Sequence, residues 1–331
     1  MTAPATGSAA PPDELVARFK EALARLWPEG GKLGLAVSGG SDSVAMFLLA
    51  EAAIPGEFEV ATVDHGLRPE AKAECALVEQ LCAERTIPCM VLQAEVGRGN
   101  LLGEARLARY EALDAWSRER GLSAVATAHH ADDQAETLIM RLNRGSGLSG
   151  LAGVRPVSTI GGDAKVIRPL LRFRRSELAQ VVEDAGVGFA SDPSNEDEGF
   201  DRVRIRKRLA EADWLDPLAI ARSAELLAEA EFFVSSELNA CWQANVAPTA
   251  DGFRYYPGVS PYRNGEMVMH IIQQMGSRTS RSEVACMVDR LWRGENASLG
   301  GVLGAPAFEP DAAGVDGRVW VFSPEPPRRS G

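Results

Sequence analysis

The sequence predicts a doubly wound α/β fold, a parallel sheet flanked by helices, with a smaller, mainly helical C-terminal domain after it. Three observations carry this. Short apolar runs alternate with helical stretches of about 10–18 residues between residues 33 and 145, the rhythm of βαβ units. The runs are apolar without polar alternation, as in Ala124-Val125-Ala126, which suits strands covered on both faces. The regularity fades after about residue 145, so the rest of the chain is organised differently.

Residues 13–27 place Leu15, Phe19, Ala22 and Leu26 on one face, the stripe of an amphipathic helix. Leu33 to Val37 is the first strand, and a Gly-rich turn leads into a helix over about residues 43–52. Phe58 to Val63 is the second strand and ends at Asp64-His65-Gly66. A helix over about 70–85 carries Ala73, Leu77, Leu81 and Glu84 at helical spacing, and Met90 to Leu92 is the third strand. Residues 103–120 form a helix with Leu107, Tyr110 and Leu113 on one stripe. Leu122 to Ala128 is the fourth strand, and a helix begins near Asp132 and is broken by the Gly-rich run Arg144 to Gly150. Val166 to Leu171 reads as a strand and 174–186 as a helix. A boundary falls near Asp213 to Pro217. Beyond it, residues 217–245 form one or two helices, with Leu226, Leu227, Phe232, Phe233 and Leu238 as core candidates. Residues 262–275 and 281–293 look helical, and Arg318 to Phe322 is a strand. The expected division is a loose tail over residues 1–12, a main domain over 13–215 and a smaller one over 216–331.

The chain has 331 residues, enough for about two domains at roughly 100–200 residues each. Apolar residues make up 45% and charged residues 24%, which excludes a largely disordered or fibrous chain. The longest strongly apolar stretch, Val44 to Ala50, falls short of the ~20 residues a membrane-spanning helix needs, so no membrane association is expected. Met1 to Pro12 lack the basic start and apolar run of a signal peptide, so the expected location is cytoplasmic. Cys75, Cys82 and Cys89 sit seven apart, while Cys241 and Cys286 are isolated. With no C-x-x-C pair, zinc-ribbon, redox-motif and cluster readings lose their usual support, and reduced, mostly buried thiols are expected. The formal charge of −11 argues against non-specific nucleic-acid binding, although the local field decides. Two basic clusters stand out, Arg168, Arg172, Arg174 and Arg175, then Arg202, Arg204, Arg206, Lys207 and Arg208. Each is either a solvated face or a contact for RNA.

Ser38-Gly39-Gly40-Ser41-Asp42-Ser43 follows an apolar strand and opens a helix. Strand, glycine turn and helix make a phosphate-binding arrangement, because glycines let the backbone approach an anion and free helix N–H groups point at it. The loop is neither G-x-x-x-x-G-K-[ST] nor G-x-G-x-x-G; three hydroxyls stand where a lysine would donate. Asp42 would repel a phosphate unless a cation lay between them, so the loop implies Mg²⁺ as well. The competing reading is a plain helix N-cap, for which Ser38, Ser41 or Asp42 would serve, yet a cap needs one such residue and not six in order.

This hexapeptide resembles the pyrophosphate loop of the N-type ATP pyrophosphatases, whose members adenylate an oxygen, release pyrophosphate and let a nucleophile displace AMP. Further segments resemble the tRNA(Ile)-lysidine synthetase family: Val63 to Arg68, Glu104 to Tyr110, Thr127 to Thr137, Arg144 to Gly153, Arg168 to Leu171 and Ser191 to Asn195. They cover about residues 33–208 in order. The resemblance implies an ATP-pyrophosphatase, Rossmann-like catalytic domain. It implies ATP and Mg²⁺ over Ser38, Gly39, Gly40, Ser41, Asp42 and Ser43, with Asp64 and His65 also at the nucleotide and Mg²⁺ on Asp42.

The second and fourth of those strands end at the sheet edge where open parallel sheets bind ligands. Asp133 and Glu136 are i and i+3 on one helix, so both carboxylates face one spot. The pair suits an ammonium group, and the resemblance assigns it free lysine; an N-terminal capping box is the rival, and the two roles overlap. A zinc cluster of His129, His130, Asp132 and Asp133 lacks further ligands at useful spacing. His129 or His130 as a nucleotide or transition-state contact fits better. Arg106 and Arg109 are either surface partners of Glu104 or Glu111 or, by resemblance, contacts for phosphate or RNA, with Arg109 favoured. The resemblance places the chemistry on Asp42, His129, Asp132, Asp133 and Arg109, and tRNA on Arg202, Arg204, Arg206, Lys207 and Arg208. Val203 stands where the family carries Asn, which removes any polar contact from that position.

The reaction implied is a two-step ligation. The C2 oxygen of the wobble cytidine of tRNA(Ile) attacks the α-phosphate of ATP, and pyrophosphate leaves. The amine of lysine then attacks C2, and AMP leaves, giving lysidine and a switch from Met to Ile decoding. The cytidine must be unstacked, as bases in RNA loops are when read specifically. A carboxylate of the Asp132, Asp133, Glu136 group or the leaving phosphate would be the base. The C-terminal domain would help grip the tRNA, with Arg278, Arg281, Arg290 and Arg293 as its basic candidates. Oligomeric state stays open, a homodimer included. Two rivals stay open: a tRNA thiolase, which usually requires paired cysteines, and a nucleotide-binding module without chemistry.

Overall fold

The computed structural model describes residues 9–66, 69–94, 101–161, 164–190, 199, 201–310 and 316–326. Most of the expected tail, Leu67 and Arg68, and the segment Ser191 to Asn195 lie outside the described residues. The chain divides into two compact units, one ending at Glu229 and the other beginning at Ala230.

The first unit runs α1 (Asp13–Leu26), β1 (Leu33–Ala36), α2 (Ser41–Ala53), β2 (Phe58–Asp64), α3 (Pro69–Glu84), β3 (Cys89–Gln93), α4 (Leu101–Arg120), β4 (Ala124–Ala126) and α5 (Ala131–Asn143). It continues through α6 (Leu148–Leu151), β5 (Val157–Ile160), β6 (Ala164–Ile167), α7 (Arg175–Ala185) and α8 (Asp201–Glu211), and α9 (Pro217–Asn245) crosses the division. The sheet order is β3-β2-β1-β4-β6-β5. Every pairing is parallel except β5 with β6 at the edge. The chain leaves β1 toward β2 and later returns to β4 on the other side of β1. That reversal is the topological switch point, and it opens a crevice at the C-terminal ends of β1 and β4.

Alternate residues of the strands feed two cores. Leu33, Leu35 and Val60 pack with Phe19 of α1, Val44 and Phe47 of α2, Val78 of α3 and Leu178 and Val182 of α7. Ala36, Ala61 and Val125 pack with Leu113 and Trp116 of α4 on the other side. Gly34 admits this second core, since a Cβ there would lie 2.6 Å from the Trp116 ring. Helix α2 is buried from Ser43 to Ala50, which explains an apolar run with no polar face. In α4 the inward stripe is Leu113 and Trp116, whereas Leu107 is exposed.

The hairpin strand β5 is absent from the sequence reading. It alternates in exposure at the sheet edge and carries no continuous apolar run. The strand expected over 166–171 ends at Ile167, because Pro169 cannot continue the ladder.

The second unit holds the end of α9, then β7 (Val246–Pro248), β8 (Phe253–Tyr255), α10 (Pro261–Gln274), α11 (Arg281–Trp292), β9 (Ala297–Leu299), β10 (Val302–Pro310) and β11 (Asp316–Pro324). Beside the expected helices it carries an antiparallel sheet in the order β7-β8-β11-β10-β9. Its core gathers Tyr255, Met267, Ile271, Leu291, Trp320 and Phe322. Leu226, Phe232 and Phe233, expected in a core, are exposed, because α9 turns its small residues Ala221 and Ala224 inward instead. No helix among the described residues is long and apolar enough to cross a membrane.

Glu59 is a carboxylate at the start of β2 and only 4% exposed. Arg120 grips it with two bonds of 2.7 and 2.8 Å, and Lys32 pairs with it as well. The Arg120 hydrogen bonds outweigh burial and hold its carboxyl at about 2. Both cations are well exposed and return to water when unpaired, so Glu59→Gln is expected to cost about 1–3 kcal/mol. A depressed carboxyl stabilises the fold above its unfolded value near 4.5 and loses that contribution as pH falls toward 2. Urea melts of both proteins against pH check this: the gap between them closes across that window.

Candidate active site

The crevice is built from the ends of β1, β2 and β4. After β1, Val37 still donates to Ala61 (2.9 Å), and the chain then turns through Ser38 to Gly40 into α2. Gly39 sits at φ +86, a left-handed conformation, with the Glu74 carbonyl 3.2 Å from where a Cβ would stand. Ser43 is buried and ties the turn together. Its Oγ donates to the Gly40 carbonyl (2.8 Å), accepts from the Ser38 N–H (3.2 Å) and lies 3.2 Å from Ser38 Oγ. Ser38, Gly40 and Asp42 line a cavity of about 460 Å³ together with Thr62, His65, Cys75, Arg109, Asp133, Arg202 and Arg206. A neighbouring cavity of about 190 Å³ adds Ser43, Thr127, Ala128 and His129. Helix α2 therefore aims its N-terminus at the crevice, with free N–H groups suited to an anion.

After β4, His129 and His130 take opposite charge states from adjacent positions. Burial drives His129 down to about 3, helped by Arg168, Arg109 and Arg106 against the pull of Asp133. Its Nδ1 lies 3.0 Å from Thr127 Oγ1. His130 is just as buried, but its Nε2 lies 3.4 Å from Asp42 and 3.6 Å from Asp133, and its Nδ1 3.6 Å from Asp132. Against burial, these neighbouring carboxylates push it up to about 10. His130 is the N-cap of α5, and Asp133 accepts its backbone N–H (3.1 Å), so the capping box is His130 with Asp133 and not the rival pairing of Asp133 with Glu136.

The two acidic candidates of α5 are both engaged. Glu136, 2% exposed, accepts Arg202 Nε and Arg206 Nε at 2.6 Å each. Asp133 Oδ1 accepts Arg202 Nη2 at 2.6 Å. The i, i+4 spacing of Arg202 and Arg206 sets them on one face of α8 against the i, i+3 carboxylates of α5. Val203 is buried. Arg204 pairs with Asp201, Arg208 pairs with Glu211, and Lys207 is exposed, so these three face outward.

Other expected residues lie to the side. Asp64 is buried and accepts the Gly66 N–H (2.8 Å), forming its own turn. Asp132 accepts the Arg175 N–H at the start of α7 (2.8 Å). Ser41 and Gly39 shape the turn without lining either cavity. Arg109 lines both and has no ion pair among the described residues, and burial lowers its pKa. Sequence reasoning missed Thr127 and Cys75, and it grouped Arg168 in a basic cluster read as a solvated face or an RNA contact, whereas it is 5% exposed. Arg168 is buried on the Arg155 carbonyl (2.6 Å) and Ser158 Oγ (3.0 Å) and raises the positive potential beside His129. The matching periods of Arg202/Arg206 and Asp133/Glu136 were the one sequence signal for their pairing.

Residues 12–213 match the PP-loop domain family. The chain is 42% identical to a tRNA(Ile)-lysidine synthase of Novosphingobium aromaticivorans, over 95% of this chain and 94% of that one. It is 44% identical to one of Zymomonas mobilis over 64% and 67%. Among solved structures it resembles a U34-tRNA thiolase of Methanococcus maripaludis at TM-score 0.56 and 18% identity, covering 66% of this chain and 80% of that one, a likeness of fold.

The two histidines make a direct test. Nitrogen-detected NMR is expected to show His130 doubly protonated up to about pH 10 and His129 neutral down to about pH 3. A raised imidazole contributes stability that is full below its unfolded value near 6.5 and fades as pH rises through 10. His130→Gln is therefore expected to cost about 1–3 kcal/mol at pH 6 and progressively less toward pH 10 in the same melts.

Proposed function

The chain belongs to the tRNA(Ile)-lysidine synthase family of PP-loop proteins, and from this we propose how its residues form lysidine at the wobble cytidine of tRNA(Ile). It is an ATP-dependent, tRNA-modifying ligase. The observation that carries the mechanism is the crevice at the switch point, where the N-terminus of α2, Asp42, Arg109, His129 and Asp133 converge on one space.

The phosphates of ATP lie over Ser38 to Ser43, taken by the amides at the start of α2 and by the Ser38 hydroxyl. Asp42 fits Mg²⁺: its Oδ1 is buried without a hydrogen-bond partner, and a single carboxylate completed by phosphate oxygens is the usual magnesium donor set. When bound there, the ion neutralises charge on the leaving pyrophosphate. The cytidine C2 oxygen attacks the α-phosphorus, and the bond to pyrophosphate breaks. Arg109 stabilises the charge that develops on the α-phosphate, and neutral His129 serves as a hydrogen-bonding contact that does not repel the arginines.

Lysine enters beside α5. Glu136 keeps Arg206, while Arg202, the more exposed of the two arginines, releases Asp133 as lysine arrives. Of the three candidate carboxylates, Asp132 caps α7 and Glu136 is doubly paired, so Asp133, the one that lines both cavities, is better placed as base. It takes the proton from the lysine amine, the nitrogen bonds to C2, and AMP departs with the C2 oxygen. Arg204, Lys207 and Arg208, on the outward face of α8, hold the RNA backbone, and the second unit extends that grip. The setting is the cytoplasm, where tRNA and free lysine are available. The sequence holds no C-x-x-C pair, which favours lysine over a sulfur donor.

Incubation of the protein with tRNA(Ile) transcript, ATP and labelled lysine is expected to place label on the wobble nucleoside. Asp42→Ala is expected to lower that rate at least about a hundredfold, the scale of losing one preorganised electrostatic contact. Equal labelling with the variant contradicts the role of the loop. Turnover that requires a sulfur donor contradicts the reaction.

A further inference from the structure

Thr127 has no part in the mechanism so far, yet it sits against one of its residues. It is the first residue past β4, and its backbone N–H donates to the Ile167 carbonyl of β6 (3.0 Å), which carries the ladder one step beyond the strand. Four residues on, the Ala131 N–H donates to the Phe173 carbonyl (2.9 Å), so the segment between is pinned at both ends. Thr127 is 1% exposed and His129 is half-buried, and both line the smaller cavity beside Ser38, Gly40 and Arg109. Their side chains meet, with Thr127 Oγ1 3.0 Å from His129 Nδ1.

Which of the two atoms donates follows from where the protons can go. A hydroxyl carries one proton and can also accept, and a neutral imidazole carries one N–H and one acceptor nitrogen. Burial keeps the His129 ring neutral. Among the described residues, His129 Nδ1 is the one hydrogen-bond partner of the Thr127 hydroxyl. If the ring carried its proton on Nδ1, that N–H would donate to the hydroxyl oxygen, and the O–H itself, shut off from water, would have no acceptor. A buried donor left in that state keeps its full desolvation penalty. With the ring proton on Nε2 both groups are satisfied: the O–H donates to Nδ1, and the Nε2–H is free. Nε2 has no partner among the described residues and is not a polar atom buried without one, so it is the nitrogen open to the cavity. Arg168, Arg109, Arg106 and Asp133 bear on the charge of the ring, but among the described residues only Thr127 hydrogen-bonds to it.

We propose that Thr127 is a positioning residue that holds His129 as the Nε2–H tautomer, so that the ring meets the reacting phosphate as a hydrogen-bond donor. The other tautomer would turn a lone pair toward phosphate oxygens, which are themselves acceptors, and the contact would become repulsive. Neutrality of the ring decides only that it does not repel the arginines beside it. The threonine hydroxyl decides which nitrogen donates, and it acts through the ring because its own proton is spent on Nδ1. This role rests on the reading of His129 as a contact for the α-phosphate.

The test uses the full chain with its histidines labelled with nitrogen-15, and His129→Gln identifies the His129 signals among the four histidines. Two-bond proton–nitrogen correlation spectra distinguish a ring nitrogen that carries hydrogen from one that does not. Near neutral pH, His129 is expected in the Nε2–H form alone. Thr127→Val keeps the shape of the side chain without the hydroxyl, and its spectrum is expected to show a mixture of the two tautomers. Its kcat for adenylyl transfer to tRNA(Ile) transcript is expected to fall roughly tenfold, a part of the loss from removing a preorganised donor outright, while the KM for ATP stays within about twofold. Thr127→Ser is expected to restore both the single tautomer and the rate. An Nδ1–H ring in the parent overturns the proposal, as does a Thr127→Val protein that keeps the Nε2–H form alone. A rate loss that Thr127→Ser fails to rescue overturns it too. If the valine protein does not fold, the spectra of the parent and of Thr127→Ser still decide it. The tautomer is read without ATP or RNA, so a parent that transfers no adenylate contradicts the proposed reaction and leaves the spectrum to judge Thr127.

Discussion

A buried imidazolium ties the two halves of the crevice together. His130 lies within 3.6 Å of Asp42, Asp132 and Asp133, three carboxylates from the first turns of two different helices. Without a cation among them these acids would repel, and the ends of β1 and β4 would be pushed apart where they must share a ligand. Burial alone would discharge the histidine. The three carboxylates keep it charged, and the charge in turn keeps α2 and α5 pointing their N-termini into one space. The site is of mixed polarity as a result: a positive helix end and Arg109 line the same two cavities as Asp42 and Asp133.

The remaining charges are balanced in the same local way. Glu136 is buried, and α8 supplies Arg202 and Arg206 at matching spacing. One face of a strongly basic helix is thereby spent inside the catalytic unit, and Arg204, Lys207 and Arg208 remain outward. A net negative chain can still meet RNA through such a face, because screening confines the relevant field to about 10 Å. Arg109 and Arg168 show the converse: neither has a carboxylate partner among the described residues, and Arg168 is held instead by the Arg155 carbonyl and Ser158 Oγ.

Much of this was legible in the residues. The alternation of apolar runs and helices gave the parallel sheet, and Ser38 to Ser43 after the first run located its switch point. What escaped the sequence was of two kinds. Edge and antiparallel strands such as β5 and β10 are short of continuous apolar character, and β10 includes Gly304 and Pro306, which are poor strand formers. The division of labour among neighbouring polar residues also escaped. Asp132, Asp133, Asp64 and Ser43 belong to conspicuous motifs, yet each is partly or wholly occupied in holding a turn or helix end. Adjacent histidines of opposite charge state are likewise a product of tertiary surroundings, since nothing in the pair His129-His130 itself distinguishes the two. Phe232 and Phe233 misled in the other direction, because a long helix with alanines on its inner face leaves large residues outside.

The claim on which the account rests is that this crevice transfers an adenylyl group from ATP to RNA before any amine is involved. The most direct measurement uses ATP labelled at the α-phosphate, tRNA(Ile) transcript and the protein, with lysine left out and the RNA recovered under denaturing conditions. The account predicts label covalently attached to the RNA at the wobble nucleotide and released as AMP when lysine is added. Unlabelled RNA with no retained adenylate, alongside lysine incorporation in a parallel reaction, would contradict it.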